Sequence, residues 1–304
     1  SGLSTDSRKI SRGQLFWPLK GEKYDGHDFI PAALEKGAAG IVAAGHKAAG
    51  LSLTGTTPVI VVADTLKALG DLAAWWRSRY KLQVAAITGS TGKTTTKEMA
   101  AGILSLGEPT LKNEGNLNNL IGLPLTIFRL NESHRRAVLE MGMNRPGEIG
   151  RLTEIAAPGL GLITNIARAH LEGLDDIDGV ARAKAELIEK ISPGNQIILY
   201  GDDDLLIKTA APFQRKTMTF GLGPSNDIRA INIETRGLES TSFALLYRGR
   251  KMNIRLQVPG AQNIINALAA SAIALAMEVP RDQVVHGLYN YQGIQGRFKP
   301  VSLG

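Results

Sequence analysis

Cysteine does not occur anywhere in the 304-residue sequence. Its absence excludes disulfide bonds, zinc sites with cysteine ligands and catalysis by a thiolate. Any metal ion that this protein binds must therefore be held by oxygen atoms or by histidine.

Long apolar runs are also missing. The stretch from Ile265 to Met277 is apolar, but it stops short of the roughly 20 residues needed to cross a bilayer. The first residues, Ser1 to Asp6, have neither the basic start nor the apolar segment of a signal peptide. We therefore expect a cytoplasmic protein that does not bind a membrane.

Aromatic residues are few and the charges are scattered. Phe, Trp and Tyr make up 5% of the sequence, and lysine and arginine form no run. The 35 basic residues outnumber the 28 acidic ones, which gives a net charge of +7 and a pI near 9.6. Excess positive charge favours anionic ligands, but its scatter predicts a nucleotide-sized anion rather than a nucleic acid.

Apolar runs alternate with helix-like stretches along the whole chain, which contains 34 glycines. This alternation is typical of an α/β protein with a mostly parallel sheet. The first part consists of short units, with strands at Gly40–Ala44 and Pro58–Val62 and a helix at Thr65–Tyr80. These units predict a small α/β amino-terminal domain over residues 1–82.

A second domain is predicted over residues 83–304. It begins with a strand at Val84–Thr88 that runs into a glycine-rich turn. Alternating polar and apolar residues from Asp227 to Val258 predict an added antiparallel sheet, and a helix from about Asn263 to Met277 follows. The pattern indicates a doubly wound, mostly parallel sheet. Its further strands are expected at 137–140, 161–164 and 196–200.

The strongest motif is Gly-Ser-Thr-Gly-Lys-Thr-Thr, which lies between the Val84–Thr88 strand and a predicted helix. Such a turn lets backbone N–H groups converge on phosphate oxygens, and the helix N-terminus adds positive partial charge. Lys93 is placed to reach the β- and γ-phosphates, and Thr94 to bind Mg²⁺. Thr88 stands where the usual pattern has its first glycine, and the alternative is a chance strand, turn and helix of small residues. The predicted cofactor-binding residues of this phosphate loop are Gly89, Ser90, Thr91, Gly92, Lys93, Thr94 and Thr95.

An acidic residue, Glu140, ends the apolar run 137–139 and should project from the carboxyl edge of the sheet. There it would hold Mg²⁺ directly or through water. The alternative is a solvated edge carboxylate that pairs with Arg135, Arg136 or Arg145.

Two further residues are ambiguous from chemistry alone. His170 follows another predicted strand end, so it favours a second metal site, although a lone histidine is usually structural or exposed. Lys184 lies in a helical stretch, where composition indicates an ordinary surface lysine.

Taken together, these motifs resemble the Mur ligase family, the ATP-dependent amide ligases that build the peptidoglycan stem peptide. The resemblance extends over essentially the whole chain. The segments that carry it are Asp6-Ser7-Arg8, 21–29, 88–95, Glu140-Met141-Gly142, Asn165-Ile166, His170-Leu171-Glu172, 183–186, Asn263, Asn266 and Gly296-Arg297.

Within the family, the stretch 116–126 is similar to the MurF branch and unlike the Thr-Thr-Pro stretch of the MurE branch. The resemblance therefore implies a ligase that joins D-alanyl-D-alanine to UDP-N-acetylmuramoyl-tripeptide through an acyl phosphate. A MurE-like ligase and a non-catalytic relative that binds UDP-sugar and ATP remain the alternatives. We expect a monomer.

The resemblance also implies a role for individual residues. Lys93, Lys184 and His170 would be catalytic, and Lys184 matches the lysine that CO₂ carbamylates in this family. Two Mg²⁺ ions would be held by Thr94, Glu140, His170 and Lys184. ATP would contact Asn263, Asn266 and Arg297 in addition to the phosphate loop. The sugar-nucleotide substrate would contact Ser7, Arg8, Asn116 and Asn119.

Two departures from the family pattern are visible. Gln262 stands where the family commonly has histidine, next to Asn263. The sequence ends at Gly304, shortly after Arg297, whereas the family has a third domain that carries the incoming amino acid or dipeptide. We therefore expect this chain to represent the first two domains of such a ligase and not to complete ligation alone.

Overall fold

The computed structural model describes residues 2–48, 57–167, 176–237 and 240–294. The chain forms two compact units, Ser1–Ala73 and Ala74–Gly304. The division falls inside one helix, whereas the sequence placed the domain boundary near residue 82. Within a continuous helix the composition does not change where the helix leaves the core of one unit for that of the other. The sequence therefore indicates only the end of the helix.

The first unit contains a parallel sheet of four strands that pair in chain order. Its core is formed by buried apolar residues that include Phe16, Ile30 and Ile41. The strands are β1 (Leu3–Ser4), β2 (Leu15–Phe16), β3 (Gly40–Ala44) and β4 (Val59–Val62). The helices are a 3₁₀ turn (Gly26–Phe29), α1 (Ile30–Glu35), α2 (Gly45–Ala48) and α3 (Thr65–Ser78), the last of which crosses the division.

A buried histidine connects the 3₁₀ turn to the central strand of this unit. The Nε2 atom of His27 accepts a hydrogen bond from the Ala44 N–H at 3.0 Å, so Nδ1 carries the proton and donates to Asp25 at 2.6 Å. Burial alone would raise the pKa of Asp25, but the hydrogen bonds from His27 and Lys47 outweigh it and hold the pKa well below its usual range.

The second unit is built on a nine-stranded sheet in the order β13-β12-β11-β10-β9-β8-β5-β7-β6. The pairings β11–β12 and β12–β13 are antiparallel, and all the other pairings in this order are parallel. The mostly parallel sheet and the added antiparallel strands confirm the predicted fold class. The strands are β5 (Gln83–Thr88), β6 (Thr110–Lys112), β7 (Arg136–Glu140), β8 (Leu160–Ile163), β9 (Gln196–Tyr200), β10 (Lys216–Gly221), β11 (Ile228–Arg236), β12 (Ser240–Tyr247) and β13 (Arg250–Leu256).

Helices cover this sheet, and their apolar faces supply much of the core. The helix from Ala261 to Ala276 has an almost continuous apolar sequence, because it is buried against both another helix and the sheet. Among the helices of the described chain, none combines the length and the apolarity that a membrane crossing requires. The helices are α4 (Lys93–Ser105), α5 (Gly122–Ile127), α6 (Glu148–Ala156), α7 (Ile177–Lys190), α8 (Asp204–Ala210), a 3₁₀ turn (Ala211–Phe213), α9 (Ala261–Ala276) and α10 (Arg281–Tyr289).

The order of the strands places a crevice at one edge of the sheet. From β5 the chain moves to the edge strand β6 and returns to β7 beside β5, and it then crosses to β8 on the other side of β5. Ligands of doubly wound sheets bind where the strand order reverses, outside the carboxyl ends of the strands. The carboxyl ends of β5, β7 and β8 therefore form the candidate binding site.

Candidate functional site

The phosphate loop joins β5 to α4 at this edge. Gly92 is the N-cap of α4, has φ of +79° and leaves the first turn without a side-chain cap. Gly89 has φ of +142°, and a Cβ atom there would overlap the Thr164 hydroxyl. Uncapped N–H groups at a helix N-terminus form an anion-binding site, so the predicted loop has the geometry that phosphate binding requires.

The segment after β8 holds the tip of the loop. The Ser90 N–H donates to the Asn165 carbonyl, and the Ser90 hydroxyl donates to the Ala167 carbonyl at 2.9 Å. Asn165 accepts from the Thr91 N–H at 3.0 Å and donates to the Thr91 hydroxyl at 2.7 Å. The Thr164 hydroxyl donates to the Thr91 carbonyl at 2.6 Å. The loop conformation is thus fixed by the neighbouring strand end before any ligand binds.

Lys93, the predicted γ-phosphate ligand, is turned back onto its own loop. Its Nζ donates to the carbonyl oxygens of Gly89 at 2.7 Å and Ser90 at 3.2 Å. The ammonium group therefore lies beside the loop that would hold phosphate.

A cavity of about 1060 Å³ adjoins the loop. Its volume is at the upper end of the range of small-molecule sites. Asn263 and Asn266, the predicted ATP contacts, both line it, as does Gln262. Asn263 donates to the Pro259 carbonyl at 2.7 Å, and the Thr96 hydroxyl donates to Asn266 at 3.5 Å. The remaining lining residues are Gly92, Thr95, Thr235, Gly237, Val258, Pro259, Gly260, Ala261, Tyr291 and Gly293.

Glu140 is the last residue of β7, and 2% of its surface is exposed. Its Oε1 accepts a hydrogen bond from the Asn118 amide at 2.8 Å, and its Oε2 has no hydrogen-bond partner among the residues that the structure describes. Among the described residues, the cation within ion-pair distance is Lys97, whose Nζ lies 3.8 Å from Oε2. The solvated edge carboxylate proposed as the alternative is wrong, because Glu140 is buried.

The candidate metal ligands at this edge, a carboxylate and a hydroxyl, are oxygen groups that suit Mg²⁺ bound together with a nucleotide. No group of three or more acidic or histidine side chains that could enclose a metal occurs within the described ranges. Mg²⁺ is usually bound by one or two carboxylates, water and substrate phosphates rather than by an all-protein cage. The unpartnered Oε2 of Glu140 and the hydroxyl of Thr94 at the start of α4 are groups of this kind.

Lys184 is not the surface residue that composition indicates. It lies in α7 with 2% of its surface exposed, on the face that α7 buries. Burial, and secondarily the positive charge of Lys93, lowers the pKa of Lys184 to about 7. The fold therefore brings Lys184 into electrostatic contact with the phosphate loop, and a large fraction of this amine is neutral near pH 7.

The predicted substrate residues are placed as follows. In the first unit, Arg8 is exposed and forms a two-bond ion pair with Asp6 at 2.9 and 3.0 Å. The hydrogen bonds from Arg8 lower the pKa of Asp6 to about 2. Ser7 lies beside this pair and is half-buried. The guanidinium group thus lies at the surface and is paired with Asp6.

Asn116 and Asn119 belong to the loop between β6 and α5. Asn116 is exposed, whereas the Asn119 side chain accepts from the N–H groups of Ile121 and Gly122 at 3.1 and 2.8 Å. Asn119 therefore has a structural role at the start of α5. Its predicted substrate contact stays a prediction, and so does that of Asn116.

Two predicted site residues, His170 and Arg297, lie outside the described residues.

Sequence reasoning missed three side chains that surround Glu140, namely Lys97, Asn113 and Asn118. The signals for two of them were available. Lys97 is four residues after Lys93 on the same helix, and Asn113 directly follows a parallel strand. The strand β6 has three residues, which is too short for an apolar run to reveal it.

The sequence profile of the Mur ligase middle domain matches residues 87–274, which is more than half of the chain. The chain belongs to the Mur ligase family. A second match, described as the catalytic domain of the Mur ligase family, covers residues 1–77. The phosphate loop, Glu140 and Lys184 all lie within the middle-domain match.

Individual relatives from the family cover almost the whole chain. The UDP-N-acetylmuramoyl-tripeptide–D-alanyl-D-alanine ligase of Escherichia coli K12 is 38% identical over 303 residues, which are 99% of this chain and 66% of that ligase. The ligase of the same name from Bacillus subtilis is 36% identical over 94% of this chain and 61% of its own length. The chain thus spans less than two thirds of the length of these relatives.

Two solved structures from the same family are also similar to this chain over almost its whole length. A crystal structure of MurF from Acinetobacter baumannii aligns with a TM-score of 0.89 at 37% identity, over 97% of this chain and 64% of that one. MurF from Thermotoga maritima in complex with ADP aligns with a TM-score of 0.86 at 27% identity, over 98% of this chain and 67% of that one.

The geometry of the loop generates a prediction for glycine substitutions. Gly92→Ala should lower the unfolding free energy by about 1 kcal/mol or more, because φ is positive and the new Cβ would lie 2.5 Å from the Asn266 side chain. Gly102→Ala, on the same helix with open space around it, should instead raise the unfolding free energy by roughly 0.5 kcal/mol. Denaturant unfolding of both variants measures the contrast, and equal effects would contradict the proposed strain.

Proposed function

We propose that this chain supplies the nucleotide-binding and sugar-nucleotide-binding parts of a ligase that joins D-alanyl-D-alanine to UDP-N-acetylmuramoyl-tripeptide at the expense of ATP. The observation that carries the proposal is the phosphate loop at the strand-order reversal, with buried Glu140 and Lys184 beside it. The 38% identity to the E. coli ligase supports the choice of substrates. We further expect a monomer in the cytoplasm.

The reaction has two steps. The terminal carboxylate of the tripeptide attacks the γ-phosphorus of ATP, the bond to the bridging oxygen breaks, and ADP leaves an acyl phosphate behind. The amine of D-alanyl-D-alanine then attacks the acyl carbon, phosphate departs, and the amine loses a proton. Negative charge accumulates in the first step, so catalysis by this chain consists of positioning and electrostatic stabilisation.

The residues divide this work. Lys93 would leave the carbonyl oxygens of its own loop and bind the γ-phosphate, while the N–H groups at the start of α4 bind the neighbouring oxygens. Glu140 and Thr94 would hold Mg²⁺, together with His170 and Lys184 at a second position. Mg²⁺, when bound, supplies positive charge that offsets the charge of the phosphates and of the attacking carboxylate. Asn263, Asn266 and Arg297 would hold the rest of ATP.

Lys184 would serve as an anion rather than as a cation. Its neutral amine attacks CO₂, a nitrogen–carbon bond forms, one proton leaves, and the carbamate carries a negative charge that suits Mg²⁺. Deep burial and the nearby charge of Lys93 disfavour the ammonium form, which supports this conversion.

The sugar nucleotide is the second ligand that we propose. Ser7 and Arg8 would contact its uridine end, and Asn116 and Asn119 would face the muramoyl-peptide. The surface position of Arg8, paired with Asp6, supports a contact with an anionic ligand.

Nucleotide binding provides the first test, because it can be measured directly on this chain. Lys93→Ala should weaken ATP binding in the presence of Mg²⁺ at least tenfold, about 1.4 kcal/mol, as measured by isothermal titration calorimetry. Lys190→Ala, which removes an exposed lysine from α7, should leave the affinity unchanged. Unaltered binding by the Lys93 variant would show that the loop does not hold the γ-phosphate.

Substrate binding distinguishes a MurF-type platform from a nucleotide-binding relative. Arg8→Ala and Asn116→Ala should each weaken the binding of UDP-N-acetylmuramoyl-tripeptide by about 1 kcal/mol or more, while Lys9→Ala removes the adjacent exposed charge and should have little effect. Asn119 is avoided because its side chain also stabilises α5. ATP binding without any binding of the tripeptide would reject the proposed substrate.

The carbamate is tested by isotope labelling. Equilibration of the chain with ¹³C-bicarbonate near pH 8 should give a carbamate signal in the ¹³C NMR spectrum, because the pKa of Lys184 is lowered to about 7 and the neutral amine dominates at that pH. Lys184→Met should lack the signal, and Lys190→Met should retain it. A spectrum that does not differ between these two variants would overturn the proposed modification.

A further inference from the structure

Lys97 is a fully buried lysine for which the proposed reaction has no use. It lies one helical turn after Lys93 on α4, and 0% of its surface is exposed. A buried ammonium group is costly unless charge and hydrogen bonds compensate for it. Its contacts therefore indicate what it does.

The Nζ atom of Lys97 has three partners around it. It donates to the carbonyl oxygen of Asn113 at 2.7 Å, and it lies 3.2 Å from Glu98 Oε1 and 3.8 Å from Glu140 Oε2. Glu98 in turn pairs with Lys112. Two cations and two carboxylates thus form a neutral cluster at the edge of the sheet.

Asn113 connects Lys97 to the backbone of Glu140. Its side-chain oxygen accepts from the Glu140 N–H at 2.9 Å, and its amide donates to the Glu140 carbonyl at 2.9 Å. Asn113 thereby occupies the place of a paired strand residue beside the end of β7. Because Lys97 binds the carbonyl of Asn113, it restrains the backbone of Glu140 as well as facing its side chain.

The two carboxylate oxygens of Glu140 have different surroundings. Oε1 is hydrogen-bonded to Asn118. Within the described part of the chain, Oε2 has no hydrogen-bond partner, and the cation nearest to it is the ammonium group of Lys97. At 3.8 Å the ammonium group balances the charge of Oε2 without a hydrogen bond. The charge of Oε2 is therefore compensated, while no hydrogen bond from the described residues occupies its lone pairs.

We propose that Lys97 is a positioning residue that balances and fixes the Glu140 carboxylate until Mg²⁺ binds it. The inference rests on the proposed function, because that function assigns Mg²⁺ to Glu140. Once bound, Mg²⁺ becomes a second cation next to the same carboxylate. Removal of Lys97 should therefore make the stability of the protein depend more strongly on the metal.

The test is a double-mutant cycle read out by thermal unfolding. Lys97→Met should lower the Tm by about 5 °C or more in the absence of ligand, because Glu140 loses its counter-charge. Glu140→Gln in the same chain should restore most of that loss, and Lys97→Arg should retain most of the wild-type Tm. The matched control is Lys112→Met, which removes the same charge from the partner of Glu98 and should show no rescue by Glu140→Gln.

The same variants are then compared with ADP plus Mg²⁺ and with ADP plus EDTA. The increase in Tm that Mg²⁺ causes should be larger for Lys97→Met than for the wild-type chain, since the metal takes over as the counter-ion. A purely structural lysine would lower all Tm values equally and leave the Mg²⁺ increment unchanged, which would overturn the proposal. Failure of Glu140→Gln to rescue Lys97→Met, including the case in which neither variant folds, would also overturn it.

Failure of the proposed function gives a different pattern. In that case ADP with Mg²⁺ would not stabilise the wild-type chain relative to ADP with EDTA, whereas the ligand-free cycle would still show rescue between positions 97 and 140. The pairing of Lys97 with Glu140 would then stand, and the assignment of that pair to a metal site would be wrong.

Discussion

The common end of β5, β7 and β8 is the constraint on which the site depends. Parallel neighbours terminate at the same edge, so the phosphate loop, Glu140 and the segment that follows Ile163 meet there although they are far apart in sequence. Glu140 is buried at this edge, and a buried carboxylate needs a counter-charge. The strand β7 therefore fixes where the buried carboxylate of Glu140 lies, and the buried Lys97 compensates its charge there.

Lys93 and Lys184 add positive charge at this edge to the neutral cluster that Lys97 and Lys112 form with Glu98 and Glu140. Lys93, Lys97 and Lys184 approach it from two helices, and Glu140 is the carboxylate that β7 contributes. Mutual repulsion adds to burial in lowering the pKa of Lys184 to about 7. Such a site attracts phosphate and resists bare cations, so a metal ion fits best when it arrives with a nucleotide. The same repulsion makes the neutral form of Lys184 accessible, which is the form that can react with CO₂.

Sequence alone predicted the features that are local and missed those that are not. The phosphate loop is contiguous, and its lysine, threonines and glycines occupy the predicted joint between β5 and α4. The alternation of strands and helices likewise predicted the fold class, which the sheet topology confirms. The contacts of Lys97 with Asn113 and of Asn118 with Glu140 span 16 and 22 residues, and no spacing rule connects them. Lys184 was misjudged from composition because burial depends on which face of α7 meets the sheet.

Close approach of backbone and side chain explains why the parts of the site depend on one another. Gly89 leaves room for the Thr164 hydroxyl, and Gly92 leaves room for the Asn266 side chain in the cavity wall. The loop therefore contacts the end of β8 on one side and the cavity on the other without an intervening layer. A side chain added at either glycine would displace Thr164 or Asn266, so glycine at these positions allows the loop to pack directly against the end of β8 and the cavity wall.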